Sequence, residues 1–182
     1  ALCGGDVEID GANVNHLGAV INCLQSKDCK IDGDDTYMRV RSTGRIHGVH
    51  AQSAPYPLFP TDMQPQLLCA SCFSDSVSVI RETVFENRFA HVKEMQKLGA
   101  KINVRGDTAT IFGCEKSDSP YLIKGGSVVA SDLRAGAALC IAALKIKGES
   151  KVYGVEFIDR GYERIEDLFC SLGGYVLRTK DR

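Results

Sequence analysis

Three stretches of this chain echo one another. Leu24-Gln25-Ser26-Lys27-Asp28-Cys29-Lys30-Ile31, Met95-Gln96-Lys97-Leu98-Gly99-Ala100-Lys101-Ile102 and Phe169-Cys170-Ser171-Leu172-Gly173-Gly174-Tyr175-Val176 each close a helical pattern and enter a strand pattern. The copies lie about 70 to 75 residues apart, a period that marks repeated supersecondary units. A chain built this way cannot be an arbitrary α/β arrangement, because each unit must bury its apolar face against the next.

The fullest unit reads β-α-β-α-β-β. Val49 to Ser53 is extended, a helix opens at Asp62 and carries Leu67, Leu68 and Phe73, and Ser76 to Glu82 alternates as a strand. His91 to Leu98 is the second helix, with Val92, Met95 and Leu98 apolar and Gly99 suited to its C-cap. Lys101 to Val104 and Thr108 to Phe112 then pair around Gly106-Asp107. The preceding copy reads strand (Asp6 to Asp10), helix (Leu17, Val20, Ile21 and Leu24 on one face, capped by Asn13 or Asn15) and two strands (Lys30 to Asp32, Tyr37 to Arg41). The last copy reads strand (Ser127 to Ala130), alanine-rich helix (Leu133 to Leu144), strand (Lys151 to Phe157), helix (Tyr162 to Leu172) and strand (Tyr175 to Arg178). The first copy lacks its opening β-α and the last its final strand, so the chain is expected to be part of a longer protein. A strand left without its neighbour exposes a sheet edge, which invites pairing with another copy of the chain. The alanines of the long helix (Ala135, Ala137, Ala138, Ala142, Ala143) suit close helix contact, so helices inside and sheets outside are expected.

Helix starts share a grammar. Phe59-Pro60-Thr61-Asp62-Met63-Gln64 follows an extended proline run, and Thr61 or Asp62 offers an oxygen of the helix-capping kind. Thr83 to Arg88, Ser131 to Arg134 and Asp159 to Arg164 are read as three further helix openings, and these three bring an arginine to the first turn. The positive end of the helix dipole does not favour a cation. Such arginines are explained either by ion pairs with nearby acids (Glu86, Asp132, Glu163) or by one shared, highly charged anion. The recurrence of the pattern favours the anion.

Composition removes other classes. The net charge of −1 gives no global field to draw in nucleic acid, and no apolar run reaches the ~20 residues of a membrane span. Eight cysteines, several within helical patterns (Cys23, Cys69, Cys72, Cys140, Cys170), read as free thiols in a reducing cytoplasm rather than a disulfide scaffold. Cys69 and Cys72 form a C-x-x-C with no second pair at metal-site spacing, so neither a metal nor a cofactor is expected.

Four blocks, in order, carry a family resemblance: Ala54 to Gln64 (APYPLFPTDMQ), Glu82 to Val92 (ETVFENRFAHV), Ser131 to Ala135 (SDLRA) and Ile158 to Glu166 (IDRGYERIE). Their strings are similar to those of the UDP-N-acetylglucosamine 1-carboxyvinyltransferases, a branch of the enolpyruvyl transferases, and they span nearly the whole chain. The resemblance implies an α/β (α+β) fold of the inside-out barrel type, built from β-α-β-α-β-β repeats. It implies that residues 1–182 form one globular domain, the C-terminal half of a two-domain enzyme, without the N-terminal segment that completes it. The implied reaction moves the enolpyruvyl group of phosphoenolpyruvate to the 3-hydroxyl of UDP-N-acetylglucosamine and releases phosphate, the first committed step of peptidoglycan synthesis.

The resemblance also implies roles. Asp62 would hold the sugar hydroxyl and take its proton. Val84 would contact the nucleotide sugar through its main chain. Arg88, Arg134 and Arg160 would surround the phosphoenolpyruvate carboxylate and phosphate, with Asp132 and Glu86 orienting them. The proton-donating cysteine loop and a lysine-asparagine pair would belong to the other domain, so the fragment on its own is expected to be inactive. A shikimate-phosphate enolpyruvyl transferase shares the fold but not these strings. A non-catalytic binding module on the same repeat is the third reading, and balanced charge counts against RNA as its ligand.

Overall fold

The computed structural model describes residues 1–114 and 123–179. Among these residues nine strands form three sheets. The first has the order β1-β3-β2, from β1 (Gly5–Asp10), β2 (Cys29–Gly33) and β3 (Tyr37–Ser42), all antiparallel. The second comprises β4 (His50–Gln52), β5 (Val77–Arg81), β6 (Lys101–Arg105) and β7 (Thr108–Phe112), in the order β4-β5-β7-β6. Its β4 and β5 run parallel, and β7 lies antiparallel between β5 and β6. The third is a parallel pair, β8 (Ser127–Val129) with β9 (Lys151–Tyr153).

The repeat is therefore physical. Strands β1, β3 and β2 occupy the same relative places as β5, β7 and β6, and the β4-β5 and β8-β9 pairs are both parallel with a helix in the crossover.

Among the described residues six α-helices accompany the strands: α1 (Gly18–Leu24), α2 (Gln64–Ser71), α3 (Val92–Lys97), α4 (Leu133–Lys145), and, after β9, α5 (Val155–Ile158) and α6 (Ile165–Ser171). Of the eight residues of α2 seven are buried, as befits a helix surrounded by protein. It packs on α4, whose buried face is Ala135, Gly136, Ala137, Ala138, Leu139 and Ala142. Small side chains bring neighbouring elements close. A Cβ at Gly136 would sit 2.5 Å from Ile158 Cγ1, so α5 fits only against a glycine here. Leu68, Ile80, Met95, Ile111 and Leu139 form the centre of the core. The expected inside-out arrangement forms, with the three sheets tied together through the helices rather than by a closed ring of strand ladders.

Six expectations need correction. Asp159 to Arg164 opens no helix: it runs through turns between α5 and α6, and α6 begins only at Ile165 after a left-handed Arg164 (φ 46°). Asn13 caps the 3-10 turn Val14–His16 rather than α1, which starts without a side-chain cap. Thr61 and Asp62 do not cap α2: Pro60 occupies the cap position of a 3-10 turn (Thr61–Met63) with no side-chain cap bond, and the Thr61 hydroxyl and Asp62 Oδ1 bond Glu82 and Arg134 instead. Thr83 to Arg88 opens no helix. It is a run of turns with Asn87 in the left-handed region (φ 58°), and α3 begins only at Val92. The strand expected to reach Phe157 stops at Tyr153, because Gly154 is left-handed (φ 79°) and starts α5. An added Cβ there would meet Ala130 O at 2.6 Å, so glycine is required twice over. Tyr175 to Arg178 is not a strand. Its counterparts β2 and β6 are held by the strands that follow them, β3 and β7, and among the described residues this segment has no such partner.

The helix expected to open at Ser131 to Arg134 does form, and Asp132 is its cap. Its Oδ1 accepts hydrogen bonds from the amides of Arg134 (2.9 Å) and Ala135 (3.0 Å) at the start of α4. Asp132→Ala is expected to lower stability by about 1–2 kcal/mol in urea denaturation, the usual effect of losing such a cap. A loss below about 0.3 kcal/mol would mean the α4 start is held by other contacts.

Candidate functional site

The site begins with the two central helices. The turn before α2 presents Asp62, and the first turn of α4 presents Arg134. The helices pack with these ends together, and Arg134 Nε donates to Asp62 Oδ1 at 2.5 Å across 72 residues of sequence. Arg88, from the loop after β5, reaches the same oxygen at 3.6 Å and lies over the Phe85 ring, 4.6 Å from its centroid. One carboxylate thus gathers two guanidinium groups at the mouth of the helix pair. The hydrogen bond from Arg134 holds the Asp62 carboxyl below the usual carboxylate range, and the charges of Arg134 and Arg88 assist.

Arg160 lies on the chain immediately before Gly161, where an added Cβ would meet Leu133 Cδ2 at 2.9 Å, so its backbone runs beside the first residue of α4. Its side chain is exposed and makes no ion pair among the described residues. Asp132 is spent on its own helix cap, and Glu86 is exposed and pairs with no arginine among the described residues. Neither pairs with the arginine it was expected to neighbour, and Arg164 pairs with Asp167 rather than Glu163. The set of Asp62, Arg88 and Arg134 is brought into contact, with Arg160 on the adjoining chain and Val84 on the Arg88 loop.

Glu82 was given no role from the sequence, where it ends an alternating strand and opens the Glu82 to Val92 block. It is 3% exposed, yet it accepts three hydrogen bonds: from Thr61 Oγ1 (2.8 Å) and from the amides of Val84 (2.9 Å) and Phe85 (3.2 Å). Burial pushes its pKa up, but the hydrogen bonds to the charged form outweigh burial and hold it below the ordinary value. The available signal was an acid placed where an alternating strand would otherwise turn apolar or small inward.

A cavity of about 330 Å³ lies elsewhere, lined by Cys23, Gln25, His47, His50 and Leu67 among others, and holds none of these residues. His47 at its edge bridges Asp28 and Asp75, at 2.8 Å each. Cys69 and Cys72 are free, fully buried thiols whose pKa burial raises, and they pack in the core. Among the described residues no group of three or more His, Cys, Asp or Glu is placed to hold a metal ion, and no helix is long and apolar enough to cross a membrane.

A central helix pair wrapped by repeated β-α-β-α-β-β sheets is also the fold of solved enolpyruvyl transferases. The enolpyruvyl transferase NikO from Streptomyces tendae superposes with a TM-score of 0.77 at 22% identity, over 93% of this chain and 39% of that one. EPSP synthase from Acinetobacter baumannii gives 0.73 at 18% identity, over 98% of this chain and 43% of that one. Residues 1–169 match the family model of EPSP synthase (3-phosphoshikimate 1-carboxyvinyltransferase), and the chain belongs to that family of transferases. Its curated relatives carry a narrower name. The chain is 43% identical to UDP-N-acetylglucosamine 1-carboxyvinyltransferase of Anaeromyxobacter sp. (strain Fw109-5) over 99% of its length, and 40% identical to that of Geotalea uraniireducens (strain Rf4) over 100%. It spans 41% and 42% of those two proteins.

Proposed function

We propose that this chain is one domain of an enzyme that transfers the enolpyruvyl group of phosphoenolpyruvate to the 3-hydroxyl of UDP-N-acetylglucosamine, releasing phosphate, in cytoplasmic peptidoglycan synthesis. The observation that carries the reading is the Asp62 carboxylate held between Arg134 and Arg88 at the start of the buried helices. The names of the full-span relatives support the choice of nucleotide sugar.

The chemistry asks for such a set. The methylene of phosphoenolpyruvate gains a proton, the sugar hydroxyl attacks the neighbouring carbon, and a tetrahedral adduct forms. Phosphate then leaves and the methyl group returns a proton to restore the double bond. Asp62 accepts the hydroxyl's hydrogen bond and then its proton. Arg88, Arg134 and Arg160 hold the carboxylate and phosphate, for which guanidinium forks are suited. Asp132 acts here by fixing the first turn of α4 under Arg134, and Glu86 borders the Arg88 loop. Val84 offers its main chain to the nucleotide sugar. Paired with Arg134, Asp62 is a weak base. A substrate anion that draws Arg134 away raises its basicity, which ties proton removal to the presence of the second substrate. The proton donor to the methylene and a second wall of the cleft come from the rest of the enzyme, so the isolated chain is inactive.

The test is phosphate release by the full-length protein. Release is expected to require both phosphoenolpyruvate and UDP-N-acetylglucosamine, and to be absent from the isolated chain. Release with shikimate 3-phosphate in place of the nucleotide sugar would move the assignment to the other branch of the family. Turnover by the isolated chain above that of its Asp62→Ala variant would overturn the division of labour between the domains.

A further inference from the structure

We propose that Glu82 is a positioning residue that locks the turn carrying Asp62 to the loop carrying Val84 and Arg88, so that the acid and the nucleotide-sugar contact move as one piece. The inference rests on the function proposed above. Its physical basis does not. Glu82 closes β5, and its side chain turns inward to 3% exposure. One carboxylate oxygen takes the Thr61 hydroxyl, one residue before Asp62. The other takes the amides of Val84 and Phe85, which begin the loop. A second clamp lies beside it: the Thr83 amide donates to Ser53 Oγ at 3.0 Å, and Thr83 Oγ1 donates to Ser53 O at 2.5 Å. Ser53 is fully buried, and its amide donates to Arg81 O, so the end of β4 is tied to the same corner.

Among the described residues this corner is the hydrogen-bonded link between the Thr61–Asp62 turn and the start of the loop at Val84–Phe85, and the Arg88–Asp62 ion pair at 3.6 Å ties the turn to the same loop farther along. The loop has no helix or ladder to hold it, since it runs through turns and a left-handed Asn87 before α3. A buried carboxylate with three donors replaces the missing secondary structure. Hydrogen bonds to a charged acceptor are about twice as strong as neutral ones, which explains an acid here rather than an amide. Misplacement of reacting groups by an ångström is enough to slow chemistry strongly.

The experiment uses the full-length protein and three variants. Glu82→Ala is expected to raise KM for UDP-N-acetylglucosamine about tenfold and to lower kcat about tenfold, the scale of losing charge-assisted hydrogen bonds. Glu82→Gln keeps an acceptor for the two amides and an amide for Thr61, and is expected to recover to within about threefold of wild type. Thr61→Val cuts only the tie to the Asp62 turn, and is expected to lower kcat with little change in KM for the nucleotide sugar. Amide hydrogen exchange over residues 83–89 is read on the same proteins and is expected to quicken in Glu82→Ala but not in Thr61→Val. Unchanged kcat and KM in Glu82→Ala, with wild type active, would overturn the proposal. If Glu82→Ala does not fold, an unchanged kcat in Thr61→Val does the same. Quickened exchange in Glu82→Ala together with a wild type inactive on UDP-N-acetylglucosamine overturns the function reading and leaves the lock standing.

Discussion

Replacing Arg134 by alanine in the full-length protein is expected to lower kcat/KM for phosphoenolpyruvate by about 10²- to 10³-fold, the scale of losing one or two charge-assisted hydrogen bonds to a doubly charged substrate. Arg134 holds a position that Arg88 cannot take over. It leaves the first turn of a buried helix, its backbone is fixed by the Asp132 cap, and its Nε already finds a carboxylate. Arg88 stands 3.6 Å from the same oxygen and is engaged with the Phe85 ring, so it cannot slide into the vacant place without leaving that ring. Arg134→Lys is expected to fall between the two, because a point charge on a flexible stem cannot make the planar two-point contact. Asp62 should feel the change as well. Without Arg134 its carboxyl loses the main influence that depresses its pKa, so the acidic limb of the pH-rate profile should move upward in the alanine variant. A kcat/KM within threefold of wild type, with an unmoved acidic limb, would remove Arg134 from the site.

How much of this was readable beforehand depends on the range of the forces involved. The Gly106-Asp107 hairpin was legible because its strands alternate and its turn is local, and Arg105 and Thr108 do pair across it. The α4 start was legible because a cap acts over three residues. The Thr83 to His91 loop was not, since its shape comes from Glu82 and Ser53, and nothing in the local string separates such a loop from a first helical turn. Asp62 was misread as a cap for a related reason. Its partner lies 72 residues away, and the attraction of a buried-helix arginine outweighs a local backbone amide. Arg134 stood out because a cation at a helix start contradicts the helix dipole, and such a contradiction marks a place where another interaction governs, whereas Arg88 and Arg160 lie in turns where that argument does not apply. Tyr175 to Arg178 carries a good strand pattern with no ladder to join among the described residues, which shows that alternation specifies readiness to pair and not the pairing.

The second large effect is on stability. The protein is expected to lose about 3 kcal/mol of unfolding free energy between pH 6.5 and pH 4 through His91 alone, at about 1.4 kcal/mol per pH unit of difference between its folded and unfolded pKa. His91 is 2% exposed at the start of α3, and its Nε2 has no hydrogen-bond partner among the described residues. Burial pushes its pKa down to about 4, with only the charge of Asp132 acting the other way. The sign follows from proton counting. Below pH 6.5 the unfolded chain takes up a proton on this imidazole while the native chain does not, so acid favours unfolding until the native ring protonates near pH 4. Stability is therefore intact above 6.5 and drains away below it. The carboxylates with lowered pKa, such as Glu82 and Glu94, act below about pH 5, where unfolded acids begin to protonate, so the interval from 6.5 to 5 isolates the histidine. Urea denaturation across that interval, for wild type and His91→Leu, reads the effect directly. The wild-type slope should be steeper by nearly one proton, and parallel profiles would show that the ring is solvated or partnered in solution. The consequence reaches the site, because His91 and Asp132 interact electrically at the foot of the helix that bears Arg134. A positive ring there would compete with the α4 amides for the Asp132 carboxylate, so acid should loosen the cap beneath Arg134 before the core gives way.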